Sequence, residues 1–276
     1  MVKTDHFLTR FICLSMILTF NVHWGVTNNN TQGEEMNSQG VIKSLLISFV
    51  IGNVVAWSMG AYPIEITAIP YSEEDLSLIS ELQEEIRSNP DEVEIKTDLG
   101  ELYFVHNDLD KVDKLLKPVI SQKETDPNAL AIWSANEAKQ AGAMWDFTWG
   151  IWKLNRLANA EEGLNRAVNL DPENLNIRMY RIHTFLGIKR DSSFYTIFED
   201  EQWFLNHLEI ESDYFLQGLK QQFYAVFSKA YTSRQALSNN IADQKSSLRK
   251  AKAYLDKLKD KKIIKSNTIG KTDLIK

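Results

Sequence analysis

Residues 160–174 read AEEGLNRAVNLDPEN, and this stretch decides the fold class. Ala160, Leu164 and Ala167 follow one another at spacings of four and three residues, which is the period of the apolar face of an α-helix. Pro172 comes soon after them, and proline has no backbone N–H with which to continue a helix. The stretch therefore predicts an amphipathic helix that ends in a tight turn.

The same pattern continues on both sides of this stretch, from residue 72 to about residue 260. Ser72 with Asp75 three residues later is typical of a capping box at a helix start. Pro118 falls inside an apolar stripe and is expected to kink or shorten its helix. The alternation typical of strands is nearly absent, so the sequence predicts an all-α fold. The later helices are expected at 175–186, 194–208, 213–232 and 245–260.

Prolines divide this helical region into intervals. Pro90, Pro127 and Pro172 are separated by 37 and 45 residues. Each interval is long enough for one helix–turn–helix pair, and the second exceeds the usual 34-residue repeat by about 11 residues. Because one such pair cannot bury its apolar face alone, pairs of this kind stack on one another.

The residues resemble the tetratricopeptide repeat more closely than the spacing does. Leu99, Gly100 and Tyr103 are similar to the Leu-Gly-x-x-Tyr of its first helix, and the stretch 160–174 is similar to its ending. Residues 129–204 resemble a bacterial family of this type, with degenerate repeats and undefined function. The resemblance implies a right-handed superhelix of stacked antiparallel helix pairs over residues 72–262. The positions that carry it are Leu99, Gly100, Tyr103, Leu116, Ala160, Leu164, Ala167 and Pro172.

Two apolar stretches, residues 11–26 and 44–61, precede the helical region. Each follows a basic residue, as in signal sequences, and each is close to the ~17–20 residues of the shortest membrane spans. Residues 1–61 are therefore predicted to be a signal peptide or membrane anchor, and residues 62–71 an extended linker. Translation from Met36 with cleavage after residue 58 or 61 is favoured. A retained anchor and an earlier signal peptide remain alternatives.

Charge and cysteine content exclude several classes of function. The net charge is −6, and residues 245–276 hold 11 Lys and Arg against 3 Asp and Glu, so the remainder is more acidic still. An acidic surface repels phosphate groups, so no nucleic-acid binding is expected. The single cysteine, Cys13, lies in the leading segment, which leaves the helical domain without disulfides or a cysteine nucleophile. Residues 263–276 are expected to be a basic disordered tail.

The sequence contains no motif that predicts a reaction. Residues 269–272 read IGKT but lack the glycine, five positions before Gly270, that a phosphate loop needs. The carboxylates at 161–162 and 199–201 are expected on solvated helix faces. We therefore expect no catalytic residue, no metal site and no cofactor, and a protein that is not an enzyme. The three histidines of the helical region are not spaced as metal ligands and are expected in turns or on the surface: His106, His183 and His207.

One unusual feature is a concentration of aromatic residues in the longer interval. Four of the chain's seven tryptophans lie within 20 residues there, together with one phenylalanine. The insert either folds back so that its rings fill a gap between helices, or presents them to a partner, since tryptophan is enriched in interface hot spots. A platform for stacking sugars is a third interpretation. The candidate partner-binding residues are Trp145, Phe147, Trp149 and Trp152, and Trp133 precedes them.

These patterns together favour a non-catalytic interaction module exported to the periplasm or held at the cell membrane with its helical domain outside. The expected partner is a protein or peptide, and membrane association is expected through the N-terminal segment only. The main alternative is a subunit or ligand-binding component of an envelope transport system, which requires an apolar pocket. An enzyme with a motif-free site and a purely structural component are further alternatives.

Overall fold

A computed structural model describes residues 38–58, 62–122, 126–208 and 214–259. These residues form helices and connecting segments without any strand, which confirms the all-α prediction. Met36, the Gly-Lys-Thr sequence and the basic tail lie outside the described residues. The helices are α1 (Ser38–Ala56), α2 (Glu73–Ser88), α3 (Val93–Val105), α4 (Leu109–Ile120), α5 (Pro127–Ala143), α6 (Ile151–Leu170), α7 (Leu175–Ile188), α8 (Asp191–Leu208), α9 (Tyr214–Leu237) and α10 (Ile241–Lys259).

The chain divides into two compact units. The described part of the first unit comprises residues 38–58, 62–67 and 139–158, and the second contains the remaining described residues. Residues 139–158, which the sequence interpretation assigned to the helical domain, thus cluster with the leading helix. Residues 62–71 belong to no helix or strand. Within the described ranges, no helix is both long and apolar enough to cross a membrane.

Local signals set the helix ends in the second unit. Ser72 and Asp75 form the predicted capping box of α2, in which each side chain bonds the backbone N–H of the other residue. Pro118 lies in the last turn of α4, and the helix ends two residues later at Ile120. Asn174 caps α7 by accepting hydrogen bonds from two backbone N–H groups of its first turn. The capping box predicted at Ser72 is therefore confirmed, and Asn174 adds a cap that the sequence analysis did not predict.

The second unit buries its apolar residues between helices that follow one another in the chain. Contacts join α2 to α3, α3 to α4, α7 to α8, α8 to α9, and α9 to α10. Gly100 is required where α3 meets α4, because a Cβ atom there would stand 2.7 Å from Leu116 Cδ1. The residues expected in the core are buried as expected: Leu99, Tyr103, Leu116, Ala160, Leu164, Ala167 and Val168.

The second unit also buries charged groups: of the carboxylates at 199–201 that were expected to face solvent, Glu199 is exposed, but Asp200 and Glu201 are buried. Asp200 is fully buried on α8, and its carboxylate accepts hydrogen bonds from Arg178 Nη1 at 2.6 Å and from Arg181 Nε at 2.9 Å. Neighbouring Glu201 accepts hydrogen bonds from the hydroxyls of Tyr231 and Tyr254. Each carboxylate thus exchanges water for donors on neighbouring helices, which compensates the cost of burial.

His106 departs in part from its expected position. It ends α3 in a turn, but it is 7% exposed rather than at the surface. Its Nδ1 bonds the Ile69 carbonyl oxygen at 3.1 Å, and its ring stacks on Tyr71 at 4.2 Å. His106 therefore ties the extended segment before α2 to the end of α3. The other two histidines are exposed, as expected, on α7 and α8.

Candidate functional site

Helix α1 of the first unit carries apolar side chains that face solvent. Residues 44–56 contain no charged residue. A helix of a water-soluble domain normally buries one apolar stripe and exposes polar residues elsewhere, so α1 lacks the polar face that water requires. Large apolar side chains between 42% and 60% exposed are Ile42, Leu45, Leu46, Ile47, Phe49, Val50, Ile51 and Val54.

The C-terminal half of α1 contacts the aromatic insert. The indole of Trp149 lies over Gly52, where a Cβ atom would stand 2.5 Å from Trp149 Nε1. Asn53 is 4% exposed, and its Oδ1 accepts a hydrogen bond from the Trp149 backbone N–H at 3.4 Å. Trp149 and Gly150 have positive φ angles of 57° and 81°. The left-handed turn that these residues form directs the tryptophan ring onto α1.

Asp146 organises this turn. Its fully buried carboxylate accepts hydrogen bonds from the Thr148 backbone N–H at 2.7 Å and from the Lys153 backbone N–H at 2.8 Å. The second bond satisfies a donor in the first turn of α6, so Asp146 acts as a cap from the preceding loop. Burial raises the pKa of Asp146, but these hydrogen bonds outweigh burial and hold the pKa below its ordinary value.

The Lys153 side chain joins the insert to the segment that follows α1. Lys153 is 6% exposed, and its Nζ donates to the backbone carbonyl oxygens of Tyr62 at 2.8 Å and Gly142 at 3.1 Å. The Ile64 backbone N–H donates to the same Gly142 oxygen at 2.8 Å. Burial lowers the pKa of Lys153, and the nearby Asp146 opposes that shift. The interior of the first unit is therefore held together largely by polar groups.

Aromatic rings project from this polar interior. Trp57 donates from Nε1 to the Asp146 carbonyl oxygen at 3.2 Å, and its ring meets Trp145 edge-on at 5.4 Å. Trp145 also stacks on Phe147 at 6.1 Å. Trp145 is 60% exposed, Phe147 50% and Trp152 63%. We refer to Trp145, Phe147 and Trp152 as the aromatic surface.

The structure places the residues of the predicted aromatic cluster in different environments. The gap-filling interpretation is wrong for the aromatic surface, because its three rings face solvent. Trp149 instead covers Gly52 of α1. Trp133 belongs to the second unit, where its Nε1 donates to Asp113 at 3.0 Å. The insert thus supplies both a contact with α1 and an exposed group of rings.

The residues that carry the repeat resemblance all lie in the second unit. Seven of the eight are buried, and Leu99, Tyr103 and Leu116 share one apolar cluster. Pro172 is exposed, and its carbonyl oxygen accepts hydrogen bonds from Arg178 Nε at 3.0 Å and Nη2 at 2.7 Å. These residues position helices and do not join the aromatic surface in a single site.

Titratable groups with shifted pKa values occur in both units. Burial lowers the pKa of Lys139, in the first unit, to about 8. In the second unit, burial raises the pKa of Glu161, which Arg190 and Ser193 partly offset. In the part of the chain that the structure describes, no group of three or more His, Cys, Asp or Glu side chains could hold a metal ion.

Sequence reasoning did not identify several residues that build this site: Trp57, Gly52, Asn53, Asp146 and Lys153. A local signal was present in Asp146 and Thr148, since an aspartate two residues before a threonine often closes a turn through its side chain. The contact between α1 and Trp149 joins residues almost a hundred positions apart. No local pattern indicates a pairing of that kind.

Comparison with known proteins gives no relative to which a function can be traced. The chain matches no family model, no curated protein and no solved structure.

Proposed function

We propose that this chain is a non-catalytic, tetratricopeptide-like interaction module of the cell envelope. In this proposal the second unit is a superhelical scaffold of stacked helix pairs, and the first unit carries the surface that binds a partner. The observation that carries the proposal is the solvent exposure of the aromatic surface. Its three large rings are held outside a compact, hydrogen-bonded turn.

The energetics of exposed rings support a role in binding. Tryptophan and phenylalanine each offer about 150–250 Å² of contact surface, and tryptophan is among the residues that contribute most at protein interfaces. The turn that carries Trp145 and Phe147 is fixed by Asp146, so little conformational entropy is lost when a partner covers the rings. A rigid apolar surface of this kind is expected to bind a partner that covers its rings.

The scaffold role rests on the second unit. Its repeat-like residues are buried at the positions that the resemblance implies, and consecutive helices pack against each other. Its buried carboxylates make hydrogen bonds to Arg178, Arg181, Tyr231 and Tyr254. These groups hold helices together, which suits a module that presents a surface. Export to the envelope is proposed from the basic-then-apolar order of the leading sequence.

The transport-subunit alternative is less well supported. It requires an apolar pocket lined by the aromatic cluster, which would enclose a small ligand. Trp145 and Trp152 are 60% and 63% exposed, so these two rings offer an open surface.

A site-specific crosslinking experiment tests the proposed function. A photoreactive phenylalanine analogue is placed at Trp152 of the full chain, and the matched control carries it at Tyr195 of the second unit, which is 71% exposed. Irradiation in living cells should give covalent adducts, with protein or with lipid, at position 152 and few or none at position 195.

The result that would contradict the proposed function is equally specific. Absence of any adduct at position 152, with the variant folded by circular dichroism and present at wild-type level, would mean that the aromatic surface has no partner in the cell.

A further inference from the structure

Helix α1 exposes apolar side chains around most of its circumference, and only its side at Gly52 and Asn53 is covered by the insert. Successive residues of an α-helix point about 100° apart. Leu45, Leu46 and Ile47 are consecutive and are 55%, 59% and 60% exposed, so apolar groups face solvent in three directions. Val50 and Ile51, one turn later, repeat two of these directions with 57% exposure each. The exposed apolar surface is therefore wider than the single stripe of an amphipathic helix. We call this surface of α1 the sleeve.

A sleeve of this kind is too extensive for a monomer in water and has the wrong shape for a groove. Its eight side chains expose on the order of 800 Å², against the roughly 300–600 Å² of the largest apolar patch on a typical monomer. A protein groove covers one face of a helix through residues at i, i+3, i+4 and i+7. A second copy of the chain would likewise cover one face. Hydrocarbon chains of lipids surround a helix on all sides.

The charges around α1 match the interface of a lipid bilayer. Residues 38–64 contain no Asp or Glu, and their one charged residue is Lys43, near the start of α1. An ammonium group close to the end of an apolar helix reaches the phosphates of lipid headgroups while its stem lies along hydrocarbon. Acidic residues in this segment would be repelled by anionic headgroups. Their absence and the terminal lysine give the helix charge complementarity to a headgroup layer.

Aromatic rings surround the other end of α1. Trp57 follows the helix and contacts Trp145 and Phe147 edge-on at 5.4 Å and 5.8 Å. Tryptophan and tyrosine are enriched where a protein crosses from hydrocarbon to headgroups, because their rings combine an apolar body with a polar edge. Trp145 and Phe147 of the aromatic surface are thus placed next to the end of the apolar helix, where an interfacial anchor is needed.

We propose that α1 and the aromatic surface form one continuous lipid-binding surface, with the sleeve in hydrocarbon and the rings of the insert among the headgroups. This inference rests on the proposed function and names the partner of its surface. It adds a mid-chain segment, residues 145–152, to a membrane contact that the sequence indicated only for the N-terminal segment. It also requires α1 to remain in the mature protein, since cleavage after residue 58 would remove both Trp57 and the helix.

Residue-specific fluorescence on the full chain tests this proposal. Cys13 is replaced by serine, and a single cysteine labelled with an environment-sensitive nitrobenzoxadiazole dye is introduced as Leu46→Cys, Trp152→Cys or, as matched control, Leu248→Cys on α10. Leu248 is 54% exposed, close to the 59% of Leu46. Vesicles contain phosphatidylcholine with a minority of phosphatidylglycerol. Addition of vesicles should shift the dye emission to the blue at positions 46 and 152 and leave it unchanged at 248.

A double substitution that adds two carboxylates to α1 tests whether α1 and the aromatic surface bind lipid together. Leu46→Glu with Val50→Glu, in the chain labelled at position 152, should lower the vesicle affinity measured from that dye at least about tenfold, because carboxylates oppose insertion of the helix. The control pair, Ile241→Glu with Leu248→Glu, places the same charges on exposed apolar positions of α10 and should leave that affinity unchanged.

The possible results separate the lipid inference from the proposed function. Vesicle-independent emission at position 152, or a shift at 46 without one at 152, would overturn the lipid inference. If the crosslinker at position 152 then captured one defined protein, or if sedimentation showed a dimer abolished by Leu46→Glu, the interaction function would stand with a protein partner or a second copy. Absence of both the emission shift and any crosslink would overturn both proposals.

Discussion

The two units of this protein place polar and apolar groups in opposite ways. In the second unit, apolar side chains such as Leu164 and Phe227 are fully buried between helices. In the first unit, Asp146, Lys153 and Asn53 are buried, while the large apolar side chains of α1 are exposed. The second unit follows the rule for a protein in water. The first unit follows the rule for a protein surface that meets an apolar medium.

The contrast shows how buried polar groups serve different ends in the two units. Asp200 and Glu201 add fixed links to a core that apolar packing already stabilises. In the first unit, the hydrogen bond between Asn53 and the Trp149 backbone joins α1 to the insert, and the Lys153 side chain joins the insert to Tyr62. Stability of the second unit should therefore respond to changes in its core, and stability of the first unit to changes in its polar interior.

The largest effect is expected from Asp200→Ala in the second unit. The substitution leaves Arg178 and Arg181 buried without their carboxylate, which should lower the free energy of unfolding by about 3–5 kcal/mol. Urea denaturation followed by circular dichroism measures the change. Asp191→Ala, at an 80% exposed carboxylate that also meets an arginine, is the control and should have no measurable effect. Equal free energies of unfolding for the two variants would show that the buried hydrogen bonds of Asp200 do not stabilise the fold.

The same leucine-to-alanine change in both units tests this opposite placement of apolar side chains directly. Leu164→Ala should cost about 2–5 kcal/mol because it opens a cavity in a fully buried site. Leu46→Ala, at a side chain 59% exposed, should leave the unfolding free energy in detergent-free buffer nearly unchanged. The measurement is urea denaturation of each full-length variant. A comparable loss at Leu46 would show that α1 is packed in water and would remove the contrast.

A smaller, pH-dependent effect is expected from Asp146→Asn in the first unit. The amide places a donor against the Lys153 backbone N–H, which should cost about 1–3 kcal/mol at neutral pH. Because the pKa of Asp146 is lowered in the folded state, its contribution is complete above the ordinary value of about 4 and is lost as the pH falls through the folded pKa.

The pH dependence of that variant is the sharper part of the test. Urea denaturation followed by tryptophan fluorescence reports mainly on the first unit, which contains five of the seven tryptophans. The difference between wild type and variant should shrink below about pH 4. A difference that stays constant across this range would mean that the ionised carboxylate is not what closes the turn.

The smallest stability effect is expected at the aromatic surface. Trp145→Ser and Trp152→Ser remove rings that are 60% and 63% exposed, so each should change the unfolding free energy by no more than about 1 kcal/mol. Thermal unfolding of the purified variants is the measurement. A loss of several kcal/mol would show that the rings stabilise the fold and would favour the gap-filling interpretation after all.

Part of this architecture could be predicted because its causes are local. The capping box at Ser72 and the proline turn at Pro172 lie within a few residues of the helix ends that they set. The apolar periodicity of residues 160–168 predicted which side chains of α6 are buried. The expectation of a solvated face is confirmed for Glu199 but wrong for Asp200 and Glu201, because the donors that make their burial possible come from other helices.

The sequence by itself determined that the chain is helical, where most helices begin and end, and that its leading part is apolar, since each property depends on residues close together in the chain. Only the tertiary structure decided that the aromatic insert meets α1 and leaves three rings exposed. That choice depends on backbone hydrogen bonds and a close approach at Gly52 between segments almost a hundred residues apart. The exposure of these rings depends on neighbours that are distant in the chain, and no local pattern encodes it.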